Sequence, residues 1–441
     1  MLAGFQTVDI TPPLGVHLAG HFNARPSNEI HDPLTAYAMV LDDGNTRVAL
    51  VGTDLVGLPT ALATPARALV SQQTGIEQQA VMLWATHTHA GPGLGDLGWY
   101  PKAPDYNVLL PKLLAGCVAG AMGRMQETTA RLAFGSERRI SFNRNYRRLG
   151  GDTATNPGVG NPAVSASNGP IDPDVGVLLL DQEGSSRAAL VNFACHLDVI
   201  GSGNYQYSAD FPYYMRRMLG EVYGTDFVSL FANGPCGNLN HINVFGSKRQ
   251  GGYDHARMMG RTLAGEVLKA DYCARPVKLE PLWYRSEMVE LELRQFSDQE
   301  IAQFRKDLEA TEATAAQMSS ANFARGRALR ALKIVESGIT SEQVEVQVLG
   351  LGDLAIVGIP GEYFVEFGLQ LKQQSPAPAT FVIELANGSI GYIPTAAALA
   401  EGGYEGSSAR FSPEAGQKLA DAALEMLADH KQAVRGEKLK C

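Results

Sequence analysis

An α/β fold is predicted by a rhythm that repeats from Arg47 onward: a short apolar run with strand propensity, then polar and glycine-rich residues, then a helix-like stretch. The second observation is where the polar residues fall. Arg47 to Val51 leads to Thr53 and Asp54, Ala80 to Trp84 to His87 and His89, and Ala188 to Phe193 to His196 and Asp198. Asp226 to Phe231 leads to Asn233 and Asn238, Leu354 to Ile359 to Glu362, and Thr380 to Leu385 to Asn387 and Tyr392. In open α/β sheets ligands collect beyond the carboxyl ends of the strands, where loops converge. Loops are polar anyway, which accounts for Thr53 or Asn387 but not for the concentration of His, Glu and Tyr.

The remaining elements follow from composition. The stretch from Gly150 to Gly169, rich in Gly, Asn, Ala, Pro and Thr, reads as a long surface loop of the kind that covers active sites. Residues Ser297 to Ser337 are charged and alanine-rich with helical periodicity, predicting one long helix or a helical hairpin inserted in the domain. A second helix is predicted from about Pro413 to Val434, and the whole of 1–441 is taken as a single catalytic domain without internal repeat or low-complexity tract.

With 441 residues and 45% hydrophobic side chains the chain can bury a large core. Its net charge of -9 is dispersed, which favours solubility and argues against a nucleic-acid partner. No run approaches the ~18 to 20 apolar residues of a membrane span, so no transmembrane segment is expected. Met1 to Ile10 has no basic region followed by an apolar one, and Thr7 to Pro13 reads as folded-domain sequence. A cytoplasmic protein is expected, or a mature form whose leader was removed. The five cysteines, at scattered spacings, read as reduced and mostly buried thiols.

The sharpest local signal is Ala85-Thr86-His87-Thr88-His89-Ala90-Gly91-Pro92-Gly93. Residues two apart on extended backbone share a side, and the glycines leave room for a ligand to approach. A His-x-His pair also occurs in structural settings, so a metal site needs further donors around a position open to water. His196 is the best second source because it ends an apolar run as His87 does. His17, His21, His255 and His430 have no comparable setting, while His31 and His241 are possible substrate contacts. Gly358-Ile359-Pro360-Gly361-Glu362 puts a carboxylate on a tight turn, with Glu366 its rival. Tyr392 and Tyr404 lie twelve residues apart in glycine-rich surroundings, where either can be ordinary packing.

Together these segments resemble the neutral (alkaline, non-lysosomal) ceramidases. The resemblance begins with Val8-Asp9-Ile10-Thr11-Pro12-Pro13 and continues through Thr53-Asp54, the His87 segment, Asn143-Arg144-Asn145, Ile171-Asp172-Pro173 and His196. It closes with Gly237-Asn238-Leu239, Pro360-Gly361-Glu362 and the two tyrosines. It implies mixed β-sheets flanked by helices, with one zinc ion per chain at the base of a pocket. The implied zinc ligands are His87, His196, Glu362 and Tyr392, and the implied non-ligand catalytic groups are His89, Arg144 and Tyr404. The implied reaction is amide hydrolysis by metal-activated water, with Tyr404 and Arg144 holding the carbonyl oxygen and His89 moving the proton.

The pattern departs from the family in two places. No residues remain after the Tyr404 region for the family's C-terminal immunoglobulin-like domain, and the serine that follows Gly-Asn-Leu in the family is Asn240 here. No serine nucleophile is therefore expected, and Cys236 nearby reads as a buried thiol. Nothing identifies a sphingolipid pocket. Trp99-Tyr100, the Gly150 to Gly169 stretch and the Ser297 to Ser337 helices are candidate walls for a small-molecule or lipid-like N-acyl substrate. The same site chemistry serves an esterase, a lactonase or an acyl-transfer enzyme; a non-catalytic binding protein is the remaining alternative, and a homo-oligomer is compatible with either.

Overall fold

A computed structural model describes residues 1–95, 103–247, 250–309 and 320–429. Trp99 and Tyr100, expected as a pocket wall, lie outside the described residues.

The six apolar runs are all strands, and they form three parallel pairs. Arg47–Thr53 pairs with Val81–Ala85, Ser185–Phe193 with Val228–Asn233, and Leu354–Ile359 with Ala379–Glu384. A parallel pair needs a crossover, and a helix supplies each: Thr60–Thr74, Phe211–Tyr223 and Val365–Gln374. Such strands are covered on both faces, which is why they read as continuous apolar runs without alternation.

Each pair is extended by two antiparallel strands. In the first sheet these are Thr35–Asp42 and Leu2–Asp9, in the second Asp174–Gln182 and Thr129–Ser136, in the third Ser341–Leu351 and Leu282–Glu292. A further helix follows the last strand of each unit: Pro104–Met122, Tyr253–Tyr272 and Ala415–Ala428. It packs on the crossover helix of its own unit. Among the described residues the chain thus runs through one strand-strand-strand-helix-strand-helix topology three times. The sequence reading found no internal repeat because this one is a repeat of connectivity, with no side-chain pattern in common.

The three sheets meet through one large apolar cluster that includes Leu50, Leu83, Trp84, Leu190, Leu230, Ile356 and Phe381. Two further clusters seal the second and third sheets against their helices. Buried polar side chains fix the sheets relative to one another. Trp84 Nε1 donates to Phe231 O at 2.9 Å, and Asn192 Nδ2 donates to Val382 O at 3.0 Å. Asn387 accepts from Leu83 N at 3.0 Å and donates to Gln347 Oε1 at 2.7 Å. Left without these partners, each buried amide would cost about 1–3 kcal/mol.

One expectation changes and another narrows to one of its alternatives. The Gly150 to Gly169 stretch holds strands Thr153–Thr155 and Val164–Ser167, both paired with Asn145–Arg148 in a small antiparallel sheet. Its Gly and Asn residues make the tight links between short strands and not one long loop. Of the two options for Ser297 to Ser337, the structure has separate helices at Asp298–Glu309 and Ser320–Ser337. The C-terminal helix spans Ala415–Ala428, and residues from 430 onward lie outside the described set. No helix among the described residues is long and apolar enough to cross a membrane.

Candidate metal centre

All three parallel pairs present their carboxyl ends to one place. Beyond the first pair, Asp54 is buried and takes a bidentate ion pair from Arg216 at 2.9 and 2.9 Å. Backbone bonds then lead into the site, with Thr86 N donating to Thr53 O and His87 N to Leu55 O, each at 2.8 Å. His87 itself has φ of 78°, a left-handed conformation that a branched or bulky residue adopts at a cost of about 1–2 kcal/mol. That twist turns its imidazole away from the strand direction and toward His196.

The donor atoms converge on His87 Nε2. His196 Nε2 lies 3.1 Å from it, His89 Nε2 3.3 Å and Glu362 Oε2 3.5 Å. Four ligands about 2.0 Å from a central ion in a tetrahedron stand about 3.3 Å apart, so these separations are those a zinc-sized cation requires. Glu362 Oε2 is enclosed and accepts no hydrogen bond. The far nitrogens face protein groups, as those of metal-binding imidazoles usually do: His87 Nδ1 donates to Val56 O at 2.6 Å, and His196 Nδ1 lies 3.8 Å from Cys236 Sγ. The residues present fit a divalent cation.

Tyr392 comes to the same point through backbone pairing. Glu362–Tyr363 and Tyr392–Ile393 form a two-residue parallel ladder with Glu362 opposite Tyr392. Glu362 N donates to Gly391 O at 3.0 Å, and the Tyr392 phenol lies close enough to the Glu362 carboxylate for each to shift the other's proton affinity. Arg144 lies 5.4 Å from the Tyr392 ring centroid and 5.7 Å from that of Tyr404. Its guanidinium is buried between Glu405 Oε1 at 2.6 Å and Gly237 O at 2.6 Å. Thr155 holds the other Glu405 oxygen at 3.1 Å, so the Gly150 to Gly169 segment braces the site from behind. Tyr404 lies 5.5 Å from Tyr392, ring to ring.

The structure therefore gathers all seven sequence candidates, but it does not separate His89 from the ligands. Its imidazole belongs to the same tight group as His87 and His196. What distinguishes His89 is its other nitrogen, Nδ1, which faces Asp198 Oδ1 at 3.7 Å. Asp198 in turn stands 3.0 Å from His21 Nε2, and the His21 ring meets His89 edge-on at 5.2 Å. Sequence reasoning set His21 aside because it follows no strand. The one signal was Gly20, whose φ of 91° and close approach, with a Cβ meeting the His89 ring at 2.4 Å, exclude any other residue. Neither His31 nor His241 lines the pocket. His31 stacks on Tyr253 at 3.9 Å, and Glu366, the rival of Glu362, accepts from Asn238 at 2.9 Å.

Electrostatics agree with a cation site. Burial alone would disfavour a charged His87, but the Glu362 carboxylate overrides it and raises the imidazole. The same pairing holds Glu362 below its ordinary range despite burial. Burial, with the His87 and Arg144 charges, keeps His196 well below the usual imidazole value, and burial does the same for His89. Both are thus neutral donors. Cys236 is no nucleophile: burial and then the Glu384 charge push its thiol far up, and its Sγ lies 2.9 Å from Glu384 Oε1. The described cysteines are free, three of them buried.

Glu384 carries a consequence for stability. Burial raises its carboxyl to about 7 from the ordinary 4.5. Between those values the folded chain holds a proton that the unfolded chain releases, so stability falls as pH rises through the window. The loss amounts to about 3 kcal/mol for a shift of this size. In metal-stripped protein, urea unfolding at pH 5 and pH 8 is expected to show this decline, and Glu384→Gln to flatten it; an unchanged slope in the variant would assign the decline elsewhere.

A cavity of about 540 Å³ opens onto the centre, lined on one side by His87, His89, Glu362, Tyr392 and Tyr404. The opposite wall is the Ser320–Ser337 helix, through Arg330, Lys333, Ile334 and Ser337. Fold and site together define an α/β protein of mixed sheets with a buried, metal-capable histidine and carboxylate cluster at the strand ends.

No family model matches the chain. A neutral ceramidase of Pseudomonas aeruginosa is 28% identical over 229 residues, covering 48% of this chain and 32% of the relative, so the match spans about a third of that protein's length. The crystal structure of neutral ceramidase from Pseudomonas aeruginosa superposes over 100% of this chain and 76% of its own, with a TM-score of 0.75 and 19% identity. A ceramidase complexed with C2 matches equally well, with a TM-score of 0.75, 18% identity and 77% of its chain covered. The chain shares the fold of the neutral ceramidase catalytic region, and its sequence is similar to that of one neutral ceramidase over about half of its length.

Proposed function

We propose that this chain is a zinc-dependent hydrolase that cleaves a linear amide bond in an N-acyl compound. The observation that carries the reading is the convergence of two imidazoles and an unpartnered carboxylate oxygen on one point at the floor of a cavity. The names of its relatives, ceramidases, support amide chemistry and a lipid-like N-acyl substrate.

His87, His196, Glu362 and Tyr392 would hold the ion. Bound zinc lowers the pKa of its water toward ~7 and polarises a carbonyl. The rest falls to side chains. Tyr404, protonated at neutral pH, and Arg144, held charged by Tyr392 and Glu405 despite burial, donate to the carbonyl oxygen as negative charge gathers there. His89, neutral and backed by Asp198, accepts the proton of water and passes it to the leaving nitrogen. The carbon–nitrogen bond breaks, the water oxygen joins the acyl carbon, and the products are a carboxylate and an amine.

Metal analysis of the purified chain is expected to find about one zinc per chain. Turnover of an N-acyl panel should vanish on chelation and return with zinc. Stoichiometric zinc without turnover of any acyl compound would instead support a binding protein, and turnover of esters alone would move the reading to an esterase.

A further inference from the structure

The wall facing the metal centre contains an arginine that has no acidic partner among the described residues. Arg330, on the Ser320–Ser337 helix, lines the cavity together with Tyr404 and Phe22. Its Nε and Nη2 atoms are enclosed and have no hydrogen-bond acceptor, and no carboxylate among the described residues lies within ion-pair distance of it. Of the other arginines nearby, Arg327 is neutralised by Asp307 and Arg410 by Glu342, and Arg294 donates to the Gly406 and Ala409 carbonyls. What Arg330 does touch is aromatic: its guanidinium carbon lies 5.5 Å from the Phe22 ring centroid. Phe22 meets Tyr404 at 6.4 Å and Phe323 at 5.5 Å, and Phe323 stacks on Tyr404 at 5.1 Å. The guanidinium is thus one ring away from a residue of the reaction site, and its charge is felt at the Tyr404 phenol.

Withdrawing guanidinium donors from water without an acceptor is costly, so such a group persists where a ligand supplies one. Arginine donates charge-assisted hydrogen bonds to carboxylate, phosphate or sulfonate oxygens, and here Nη1 is the exposed donor, with Nε and Nη2 enclosed behind it. Of the other walls, Val56, Leu94, Leu293, Ile334 and Ile339 suit an alkyl chain, while the lining carboxylate of Glu342 is already paired with Arg410 and that of Glu362 belongs to the metal centre. We propose that the substrate of this site is an N-acyl compound bearing an anionic group within a few bonds of its amide, with Arg330 as the residue that selects it. This rests on the hydrolase reading for the reaction but not for the binding. A neutral N-acyl lipid would leave the guanidinium facing apolar chain and would be the poorer ligand.

The test uses zinc-loaded full-length chain and matched N-acyl probes: an N-acylglycine, an N-acyl aminomethylphosphonate and an N-acylethanolamine of the same chain length. Calorimetric binding and kcat/KM are both measured. The anionic probes are expected to bind at least about 10-fold tighter than the neutral one, the scale of one charge-assisted pair. Comparing carboxylate with phosphonate identifies which anion the guanidinium prefers. Arg330→Gln should remove the preference by raising KM for the anionic probes only, and Arg330→Lys should restore part of it. Equal affinity for charged and neutral probes, or a preference that survives Arg330→Gln, would overturn the proposal. Preferential binding without any turnover would sustain it while sinking the hydrolase reading; brisk turnover of the neutral probe that ignores Arg330 would do the reverse.

Discussion

Replacing His87 with alanine is expected to remove bound zinc and turnover together. The other donors gather around its Nε2, with His196, His89 and Glu362 at 3.1, 3.3 and 3.5 Å. Loss of a partner merely behind a ligand costs about 10- to 100-fold in metal affinity, and loss of the ligand itself must exceed that. The backbone offers a control. At φ of 78° alanine retains the strain that histidine bears, whereas His87→Gly releases it. In metal-free protein the glycine variant should therefore be the more stable by about 1 kcal/mol, while both fail to retain zinc. Retention of a full complement of zinc in His87→Ala, measured on dialysed protein, would remove His87 from the centre. The same assay on His89→Ala settles what geometry leaves open: zinc retained with activity lost means a proton-handling group, and zinc lost means a third imidazole ligand.

How much of this was legible beforehand depended on whether a residue's position followed from its own strand. His87, His196 and Glu362 stood out because each follows a mostly apolar strand, and a strand buried on both faces announces itself in sequence. Tyr392 and Tyr404 are different. Their place depends on the Glu362 to Tyr392 ladder and on the helix Gly403–Ser408, neither of which has a periodic signature; the glycine-rich surroundings marked both tyrosines, but only the family resemblance gave them roles. His21 was missed for the same reason in stronger form. It sits in irregular backbone held by Arg25, which donates to Ala19 O and, at 2.8 Å, to His89 O. A contact between residues so far apart in the chain leaves no local trace. The threefold recurrence of the unit was equally hidden, because what recurs is the order of strands and crossovers while the side chains at equivalent ends differ: Asp54, His196 and Glu362 follow corresponding strands.

Tyr404→Phe is expected to lower kcat by about 100- to 1000-fold, the usual consequence of deleting one donor to a developing oxyanion. The substitution is suited to the question because it takes away one oxygen and leaves the packing. The ring stacks on Phe323 at 5.1 Å and meets Tyr392 at 5.5 Å, and phenylalanine preserves both contacts. The backbone N of Tyr404, held by Thr155 Oγ1 at 3.4 Å, is also untouched. Burial, reinforced by the Glu362 charge and opposed by Arg144, pushes the phenol up to about 12, so it carries its proton throughout the neutral range. A donor of that kind contributes when charge appears on the carbonyl oxygen and little before, which places the loss in kcat and not in KM. Zinc content and thermal stability should stay close to the parent's. A phenylalanine variant with full zinc and unreduced kcat would mean that Arg144 alone steadies the oxygen, and the tyrosine would then be a wall of the pocket between the metal centre and Phe323.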